Sequence, residues 1–574
     1  MKMIQQAKYI AVLISLSVRI YCIETDDPVK TLTSLPAGTP AEITIAPGTY
    51  KLPAGGFSFK KLQDVKINAA GVIFIATEPR KQALRLEACT NVTIDGLTID
   101  YDPLPFTQGT ITSIDAAAYT ADFTVHDGYP DLTKDYLVKR FHLFAADQPR
   151  WKEGAPEYYI KRVESLSART GRIYLQAIPA EFAFLEVGDR VVFNLRSSHT
   201  VNIMDGCKDI TLENFTIHAG PGAAIIIRFA ENAGTYKRVR VIPGPLPAGA
   251  TEERLFSTCA DGFNVAYTRA GPILEDSEFA YMGDDSVNLH GVALPVMKWE
   301  NSRACLTMRP FIDSFNEILR PGDEVRFLAE PDYRLVATAE IKEMSKVAMP
   351  DASWMKRIKE IWPTKSDEKA TFYRVRFDRD VKFPADGLYF EVFAISAPDY
   401  IIRNCWFHDH RGRGLRLMTG NGLVESNRFE RIKDAGISAG HSLGFWKEAG
   451  WVENVIIRNN IIKDTGMGAR VLTEKSYTLG AISIFAENKP LGKDTPYYPG
   501  NRNLQIIGNT IEGYPLDGIH IAAAKDVLVE GNTIRRVNLK TVPDAGRLYG
   551  VSSGGPVTVQ FSESVTVTNN IVVQ

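Results

Sequence analysis

The chain of 574 residues is 45% hydrophobic and 23% charged, which is ordinary for a soluble globular protein. Its formal net charge of −2 gives no electrostatic reason to expect nucleic acid or an anionic membrane as a partner. The length exceeds one ordinary domain, although stacked repeats can form a single long body.

The N-terminus has the composition of an export signal. Lys2 and Lys8 come before an apolar run at residues 9–18, which is too short to span a bilayer but fits a secretory signal. We therefore predict a signal peptide at residues 1–22 and a secreted or periplasmic protein. Cys22 would also suit a surface lipoprotein, but the residues before it are not the small ones that usually precede a lipidated cysteine. The other interpretation of this segment is a buried first strand.

Short alternating strands recur from about residue 36 to the C-terminus, with asparagine or aspartate at their bends. Val, Ile and Leu alternate with polar residues in these units, so the apolar side chains would point inward. One rung cannot bury its apolar face alone, so many must stack. The pattern predicts an all-β fold, a parallel β-helix. Its clearest units are Asn91–Ile99, Lys208–Ile217, Ile401–Phe407, Gly422–Phe429, Val455–Ile462, Leu504–Ile511, Val527–Ile534 and Val565–Ile571.

Asparagines occupy one repeated place in several of these units, at Asn427, Asn509 and Asn532. Asparagine tolerates the left-handed backbone that a tight bend needs. Stacked asparagine side chains can also hydrogen-bond along the axis of the coil. We therefore predict that these residues form the bends between strands.

Two stretches break the repeat, at about residues 103–193 and 294–390. Each contains the phrase Gly-Asp-x-Val-x-Phe, within Leu185–Phe193 and within Leu319–Phe327, which is typical of a hairpin in a small β-barrel. We predict two β-barrel-like modules inserted between rungs at 36–102, 194–293 and 391–574. They either wall a cleft or only cover the side of the coil.

Three aspartates occur one predicted rung apart, in Cys259–Phe263 and Met282–Gly291. The segment between them, Pro272–Phe279, has the pattern of one short strand, which would bring Asp261 beside Asp284 and Asp285. Crowded carboxylates repel, so at least one tends to hold a proton at neutral pH. A protonated acid beside an ionised base can cleave a glycosidic bond. The structural alternative is that these Asp-Gly and Gly-Asp pairs only form turns.

Other polar residues near these segments are candidates for substrate binding. Arginines beside carboxylates can keep them ionised or bind sugar hydroxyls, and an aromatic ring can stack on a sugar face. Solvent exposure or packing against the coil is the alternative for each. His408 and His410 would share one face of a strand, but with no third ligand we predict no metal site. The candidates are Arg228, Asn264, His290, Arg411, Arg413, Trp446 and Glu448.

Four segments together resemble glycoside hydrolase family 110, and the resemblance extends over roughly Pro36–Gln574. They are Asp261-Gly262-Phe263, Met282–Gly291, His410–Leu415 and Phe445–Asn460. The resemblance implies a right-handed parallel β-helix with β-barrel modules. It also implies a metal-independent, cofactor-free, inverting exo-α-1,3-galactosidase. Polygalacturonases are more distantly similar, but their Gly-His-Gly motif is absent, which argues against a uronic acid substrate.

The same resemblance suggests roles for the three aspartates. Asp284 would be the general acid, its proton affinity raised by like charges, while Asp261 and Asp285 would hold the water. In an inverting site the two carboxyls stand about 6.5–9.5 Å apart.

The expected substrate carries terminal α-1,3-linked galactose, on a blood-group B branch, a linear αGal cap or an algal galactan. A homo-oligomer is left open, and neither nucleic acid nor a membrane is expected as partner. Two alternatives remain: a β-helix glycosidase acting on another polysaccharide, and a non-catalytic β-helix that binds glycans.

Overall fold

The structure is a computed structural model that describes residues 21–310, 318–349, 353–361, 370–381, 387–443, 446–468, 478–486, 497–539 and 555–573. The chain winds into a coil of parallel strands with three faces, each strand pairing with its counterpart one rung earlier and one rung later. Two antiparallel sheets interrupt the coil. The predicted fold class, a parallel β-helix with two insertions, is confirmed.

The first and second faces of the coil join into one 23-stranded sheet, because two long strands near the N-terminus run through both faces. The first face contains Tyr21–Thr25, Ala41–Ile45, Gln63–Ala76, Thr90–Tyr101, Lys208–Glu213, Thr235–Lys237, Ile273–Glu275, Ile401–Arg403, Gly422–Glu425, Glu453–Arg458, Asn501–Ile507, Ala524–Glu530 and Glu563–Thr568. The second contains Gly48–Lys51, Thr216–Ile217, Arg240–Val241, Glu278–Ala280, Trp406–His408, Arg428–Glu430, Ile461–Lys463, Thr510–Tyr514, Thr533–Val537 and Ile571–Val573.

The third face is a separate sheet of 11 parallel strands. Apolar side chains from all three faces fill the interior of the coil, as the alternating pattern predicts. The strands of the third face are Phe57–Lys60, Leu84–Glu87, Val201–Met204, Ile225–Arg228, Phe263–Ala266, Val287–His290, Leu415–Met418, Ile437–Ala439, Gly480–Ile484, Asp517–Ala522 and Val557–Gln560.

A short helix, Pro28–Thr33, lies at the N-terminal end of the coil. The Asp27 side chain caps it by accepting a hydrogen bond from the Lys30 N–H, and Pro28 occupies the first turn, where its missing N–H costs nothing. Leu32 on this helix is buried in the main core. The helix therefore covers apolar side chains that the first rung would otherwise expose.

The first insertion is a seven-stranded antiparallel sheet between Phe106 and Asn194. Its strands are Phe106–Asp115, Thr120–Val125, Arg140–Phe144, Tyr158–Tyr159, Arg162–Ser165, Thr170–Tyr174 and Arg190–Asn194, with a helical turn at Pro179–Phe182.

Contacts with three later rungs fix this insertion to the coil. The Trp151 indole N–H donates to the Asp409 carbonyl at 3.0 Å. The Lys433 ammonium donates to the Ala155 carbonyl at 3.0 Å, and the Gly154 N–H donates to the Met467 carbonyl at 2.7 Å. The insertion therefore has a fixed position beside the third face.

The second insertion is also a seven-stranded antiparallel sheet, between Ala293 and Glu391. It has its own apolar core, which joins the coil through Phe229 and Tyr267. Its strands are Ala293–Pro295, Lys298–Asn301, Ala304–Pro310, Glu324–Ala329, Arg334–Val347, Ala370–Phe377 and Leu388–Glu391. The helix Ser353–Ile361 lies within it, and a 3-10 turn, Phe393–Ile395, follows it.

The repeated asparagines form a continuous ladder inside the coil. The Asn427 side-chain amide donates to the Oδ1 of Asn460 at 3.0 Å, and Asn460 donates to Asn509 at 2.9 Å. The same bond, at 2.9 Å, joins Asn509 to Asn532 and Asn532 to Asn570. The predicted hydrogen bonding along the coil axis is therefore present.

The prediction that the ladder asparagines themselves supply the left-handed bend was wrong. The residue before each of them has the positive φ, for example Ser426 at 57° and Asn459 at 55°. The ladder residue then points its side chain inward, where its amide replaces backbone partners lost at the bend.

The segment Pro272–Phe279 differs from the prediction in a related way. It forms two strands, Ile273–Glu275 and Glu278–Ala280, rather than one. Asp276 between them has a φ of 52°, so the same left-handed bend divides this rung.

Residues 1–20 lie outside the described residues, so the predicted export signal stays a prediction. Tyr21 and Cys22, at its predicted end, belong to the first strand of the coil and pair with Ala41 and Glu42. Within the described ranges no helix is long and apolar enough to cross a bilayer.

Replacing Asn509 with alanine should lower the free energy of unfolding by about 2–4 kcal/mol, because it leaves the buried Asn460 N–H without an acceptor and removes the amide that donates to the Ile457 carbonyl and to Asn532. Denaturant titration measures the change. Gln505→Ala, half-buried in the strand before the bend, is the control and should stay within about 0.5 kcal/mol of wild type. Equal effects of the two substitutions would show that the ladder does not stabilise the coil.

Candidate active site

The third face of the coil positions the candidate site. Its strands are in register, so Asn264, Asn288 and Arg416 lie side by side on successive rungs. Asp261 and Asp285 stand at equivalent places, each two residues before the first paired residue of its strand. Adjacent parallel strands are about 4.8 Å apart, so this register places the two carboxyl groups in neighbouring rungs.

The structure brings all three predicted aspartates together. One carboxylate oxygen from each of Asp261, Asp284 and Asp285 lies within 4.8 Å of the others. The three line a cavity of about 660 Å³. Asp261 and Asp285 are buried, and Asp284 is partly exposed. Such a group of buried carboxyls must differ in proton affinity, because three adjacent negative charges repel one another.

Asp284 is held between two arginines. Its Oδ2 accepts a hydrogen bond from Arg196 at 2.5 Å, and its Oδ1 lies 2.7 Å from a guanidinium nitrogen of Arg411. Burial alone would raise the pKa of Asp284, but the charges of Arg411 and Arg196 outweigh it and hold that pKa well below its usual value. The expectation that like charges raise the proton affinity of Asp284 was therefore wrong.

Asp285 is bound by a single arginine in two ways. The Arg413 guanidinium donates to one carboxylate oxygen at 2.6 Å, and the Arg413 backbone N–H donates to the other at 2.7 Å. Burial raises the pKa of Asp285, and Arg413 offsets only part of that rise. These two bonds fix the orientation of the carboxyl group.

Of the three aspartates, Asp261 has the weakest interactions to stabilise its ionised form. The Asn264 side-chain amide donates to its Oδ2, and Arg228 donates in turn to the Asn264 Oδ1 at 2.5 Å. Burial, followed by the neighbouring charges of Asp284 and Asp285, raises the pKa of Asp261 to about 8. At neutral pH the proton of this cluster therefore lies mainly on Asp261.

The nearest oxygens of the three carboxyl groups lie closer together than the carboxyl groups of a typical inverting site. The closest oxygens lie within 4.8 Å of one another, whereas typical inverting sites separate the two carboxyls by about 6.5–9.5 Å. Three carboxylates at this distance could in principle bind a metal ion. Here Asp284 and Asp285 are already paired with guanidinium groups, so a cation would have to displace those arginines.

The other predicted site residues fall into two groups. Asn264, Arg411, Arg413, Trp446 and Glu448 line the cavity with the aspartates, and 47% of the Trp446 surface is exposed. Arg228 and His290 lie behind the cavity wall. The His290 Nε2 is 3.8 Å from a Glu448 oxygen, while Arg228 contacts Asn264. These two residues are therefore placed to support others rather than to touch a ligand.

The two histidines considered as metal ligands bind different partners. His408 bonds Asp409 at 2.8 Å, and His410 bonds the Ser286 hydroxyl at 2.7 Å. Among the residues that the structure describes, the three aspartates form the only group of three potential ligands close enough to share an ion. His410 thereby links the rung of Arg411 to the rung of Asp285.

Sequence reasoning missed the residues that the first insertion contributes. Arg140, Glu157 and Tyr159 come from its strands and the loop between them, and Arg196 follows its last strand. Arg411 contacts both Glu157 and Asp284, which connects the insertion to the aspartates. No repeat pattern marks these positions, so only the folded chain reveals them.

Two missed residues do have a sequence signal. Asn288 and Arg416 occupy the same register position as Asn264, one and two rungs further on. Aligning the rungs would have identified a polar row on the outer side of the third face, next to the aspartates. All three line the cavity.

Comparison with known proteins supports the resemblance noted in the sequence. No family model matches the chain. The chain is 23% identical over 538 residues to alpha-1,3-galactosidase B of Bacteroides thetaiotaomicron, covering 89% of this chain and 79% of that protein. It is 23% identical to alpha-1,3-galactosidase A of Bacteroides fragilis, covering 85% and 76%, and 22% identical to alpha-1,3-galactosidase B of Akkermansia muciniphila, covering 79% and 54%. The predicted resemblance is thus confirmed by homologues.

Solved structures with a similar course of the chain include an alpha-1,3-glucanase catalytic domain and an exopolygalacturonase of Thermotoga maritima. The first has 9% identity and a TM-score of 0.36, covering 93% of this chain and 62% of that one. The second has 11% identity and a TM-score of 0.32, covering 95% and 86%. Scores this low say nothing about activity.

The raised pKa of Asp261 predicts a pH-dependent difference in stability between wild type and Asp261→Asn. The folded carboxyl binds its proton more tightly than the unfolded one, so wild type loses stability as pH rises from the ordinary 3.8 to about 8. The variant lacks this loss. Relative to wild type it should gain at least about 1 kcal/mol between pH 5 and pH 8.5, given about 1.4 kcal/mol per pKa unit. Denaturant titration at both pH values measures this. If the stability difference between the variant and wild type were the same at both pH values, Asp261 would not be the residue that holds the proton.

Proposed function

We propose that this protein is a secreted exo-glycosidase that hydrolyses terminal α-1,3-linked galactose with inversion of the anomeric centre. The cavity that contains Asp261, Asp284 and Asp285 carries the proposal, because it combines one protonated and one ionised carboxyl group. The names of the homologues support the glycosidase class and the α-1,3 linkage. Secretion rests on the composition of residues 1–22 alone.

Glycoside hydrolysis needs an acid that protonates the leaving oxygen and a carboxylate that assists attack on the anomeric carbon. Asp261, with its raised pKa, suits the acid. Asp284, kept ionised by Arg196 and Arg411, suits the base that takes a proton from the attacking water. Asp285 is fixed by Arg413 and adds negative charge beside the oxocarbenium-like transition state.

The shape of the cavity suits a short sugar segment. The first insertion supplies one wall through Arg140 and Tyr159, and a loop of the coil supplies another through Ser442, Trp446 and Glu448. Trp446, with 47% of its surface exposed, offers an apolar ring on which a pyranose face can stack. A cavity of about 660 Å³ holds a few sugar units rather than a long polysaccharide.

The close approach of the carboxylate oxygens is the observation behind a second candidate stereochemistry. Carboxyls about 5–5.5 Å apart are typical of retaining enzymes, in which one carboxylate attacks the sugar directly. The closest oxygens here, within 4.8 Å, are nearer to that geometry. Asp284 would then be the nucleophile and Asp261 the acid, and later the base.

Incubation with galactose-α-1,3-galactose, followed by proton NMR, tests the activity and the stereochemistry together. Appearance of β-galactose before mutarotation is the expected result and indicates inversion. α-Galactose as the first product would indicate retention. Asp284→Asn should lower turnover by at least about 1,000-fold without unfolding the protein. If wild type released no galactose but bound the disaccharide, a non-catalytic glycan-binding β-helix would be the better description.

Aryl α-galactosides distinguish the acid from the base. A leaving group of low pKa needs little protonation, so the acid variant should keep most of its activity on such a substrate, whereas the base variant should not. We expect Asp261→Asn to be rescued in this way and Asp284→Asn not to be rescued. The wild-type rate should also fall above about pH 8, as Asp261 loses its proton. Rescue of Asp284→Asn instead would return the acid role to Asp284.

A further inference from the structure

The side-chain amide of Asn264 lies between Asp261 and Arg228. Its nitrogen donates to the Asp261 Oδ2, and its Oδ1 accepts a hydrogen bond from the Arg228 Nη2 at 2.5 Å. An asparagine amide has a donor end and an acceptor end, so turning it over would exchange the atom that faces Asp261. The direction of this amide therefore decides whether Asp261 meets a donor or an acceptor.

The chemistry of Arg228 determines that direction. A guanidinium group has only donors, so the Asn264 side-chain atom beside it must be the carbonyl oxygen. The Arg228 Nη1 also donates to the backbone carbonyl of Asn264 at 3.1 Å and to that of Ile227 at 2.8 Å, which fixes the position of the guanidinium. The amide nitrogen is thereby directed at Asp261.

The register of the third face brings Arg228 to this place. Asn264 pairs with Ile226, and Arg228, two residues further along the same strand, has its side chain on the same side of the sheet. The ring centre of Tyr267 lies 5.8 Å from the Arg228 guanidinium carbon, and the Tyr267 hydroxyl accepts from Arg309 of the second insertion at 2.9 Å. Arg228 lies behind the residues that line the cavity, so its contact with Asp261 runs through Asn264.

The direction of the Asn264 amide also decides which oxygen of Asp261 can hold the proton. An oxygen that accepts a hydrogen bond from an amide N–H cannot point its own proton at that N–H. With the nitrogen facing Oδ2, the proton must be on Oδ1. With the amide turned over, the Asn264 oxygen would accept the proton from Oδ2, and a leaving oxygen would have to compete for it.

We propose that Arg228 is a positioning residue for the acid: by binding the Asn264 oxygen it keeps the amide nitrogen on the Asp261 Oδ2 and the acid proton on Oδ1, available to the leaving oxygen. The proposal rests on the proposed function, because it takes Asp261 as the acid. During transfer the Oδ1–H bond breaks, a bond from this hydrogen to the glycosidic oxygen forms, and the electron pair stays on Asp261. The Asn264 amide then stabilises the new carboxylate through its hydrogen bond.

Arg228→Gln and Arg228→Lys separate this role from a merely structural one. Glutamine can donate or accept, so Asn264 loses its fixed direction, whereas lysine has only donors. We expect Arg228→Gln to lower kcat/KM for galactose-α-1,3-galactose about 10-fold, because the proton must first leave an ordinary hydrogen bond. An aryl α-galactoside with a leaving group of low pKa needs little protonation, so its kcat/KM should fall less than about 2-fold. Arg228→Lys should keep both values within about 3-fold of wild type.

Arg85→Gln is the matched control. Arg85 lies in an earlier rung at the register position of Asn264, on the same side of the third face, and pairs with Glu87 and Asp205. The substitution should leave both substrates unchanged, and thermal unfolding verifies that each variant is folded. An equal loss on both substrates, no loss on the disaccharide, or a loss in Arg228→Lys that matches Arg228→Gln would overturn the proposal.

The pH dependence of kcat/KM for the disaccharide gives a second readout. In Arg228→Gln the hydrogen bond from Asn264 and the nearby positive charge no longer favour ionised Asp261. The alkaline fall of kcat/KM should therefore move above the wild-type value of about pH 8, and a fall at the wild-type pH would contradict the proposal. The other charged and titratable groups that face Asp261 and Arg228 are unchanged in the variant: Asp284, Asp285, Arg196, Tyr267, Glu448 and Arg309.

A neutron structure of the deuterated wild-type protein below pH 7 tests the proton position without any activity. If wild type releases no galactose from either substrate, the proposed glycosidase activity is wrong, and the neutron structure still decides this inference. Deuterium on the Asp261 Oδ1, with the Asn264 nitrogen toward Oδ2, would support it. Deuterium on Oδ2, no deuterium on Asp261, or the Asn264 oxygen toward Asp261 would overturn it.

Discussion

The register of the parallel rungs is the constraint on which the rest of this structure depends. Backbone hydrogen bonds hold equivalent residues of successive rungs about 4.8 Å apart. Inside the coil this spacing stacks apolar side chains and the amides of the asparagine ladder favourably. At the site the same spacing forces Asp261 and Asp285 into adjacent rungs, where like charges oppose folding. The surrounding arginines supply the positive charge that offsets this repulsion.

The distribution of those arginines makes three chemically identical side chains unequal. Two guanidinium groups hold Asp284 ionised, and one, from Arg413, fixes Asp285. Asp261 receives only an amide from Asn264 and therefore holds the proton. The difference arises from where each arginine lies, so three neighbouring aspartates on adjacent rungs differ in proton affinity.

The sequence predicted the fold well because the repeat is local and regular. Alternating apolar residues identified the rungs, and the spacing of Asp261 from Asp285 placed them together. The proton on Asp284 was predicted wrongly because Arg411 and Arg196 both lie against it, and no periodicity indicates where Arg196, which follows an insertion, will lie. Arg140 and Glu157 escaped prediction for the same reason. The left-handed bend was assigned one residue too late because side-chain pattern does not report φ.

The bonds that fix the first insertion to three later rungs divide the protein into two parts with separate tasks. The coil contributes the carboxyl groups, whose spacing follows from the register of its rungs. The insertion contributes one wall of the cavity and lies outside that register. The side chains of the wall can therefore change while the three aspartates keep their mutual arrangement.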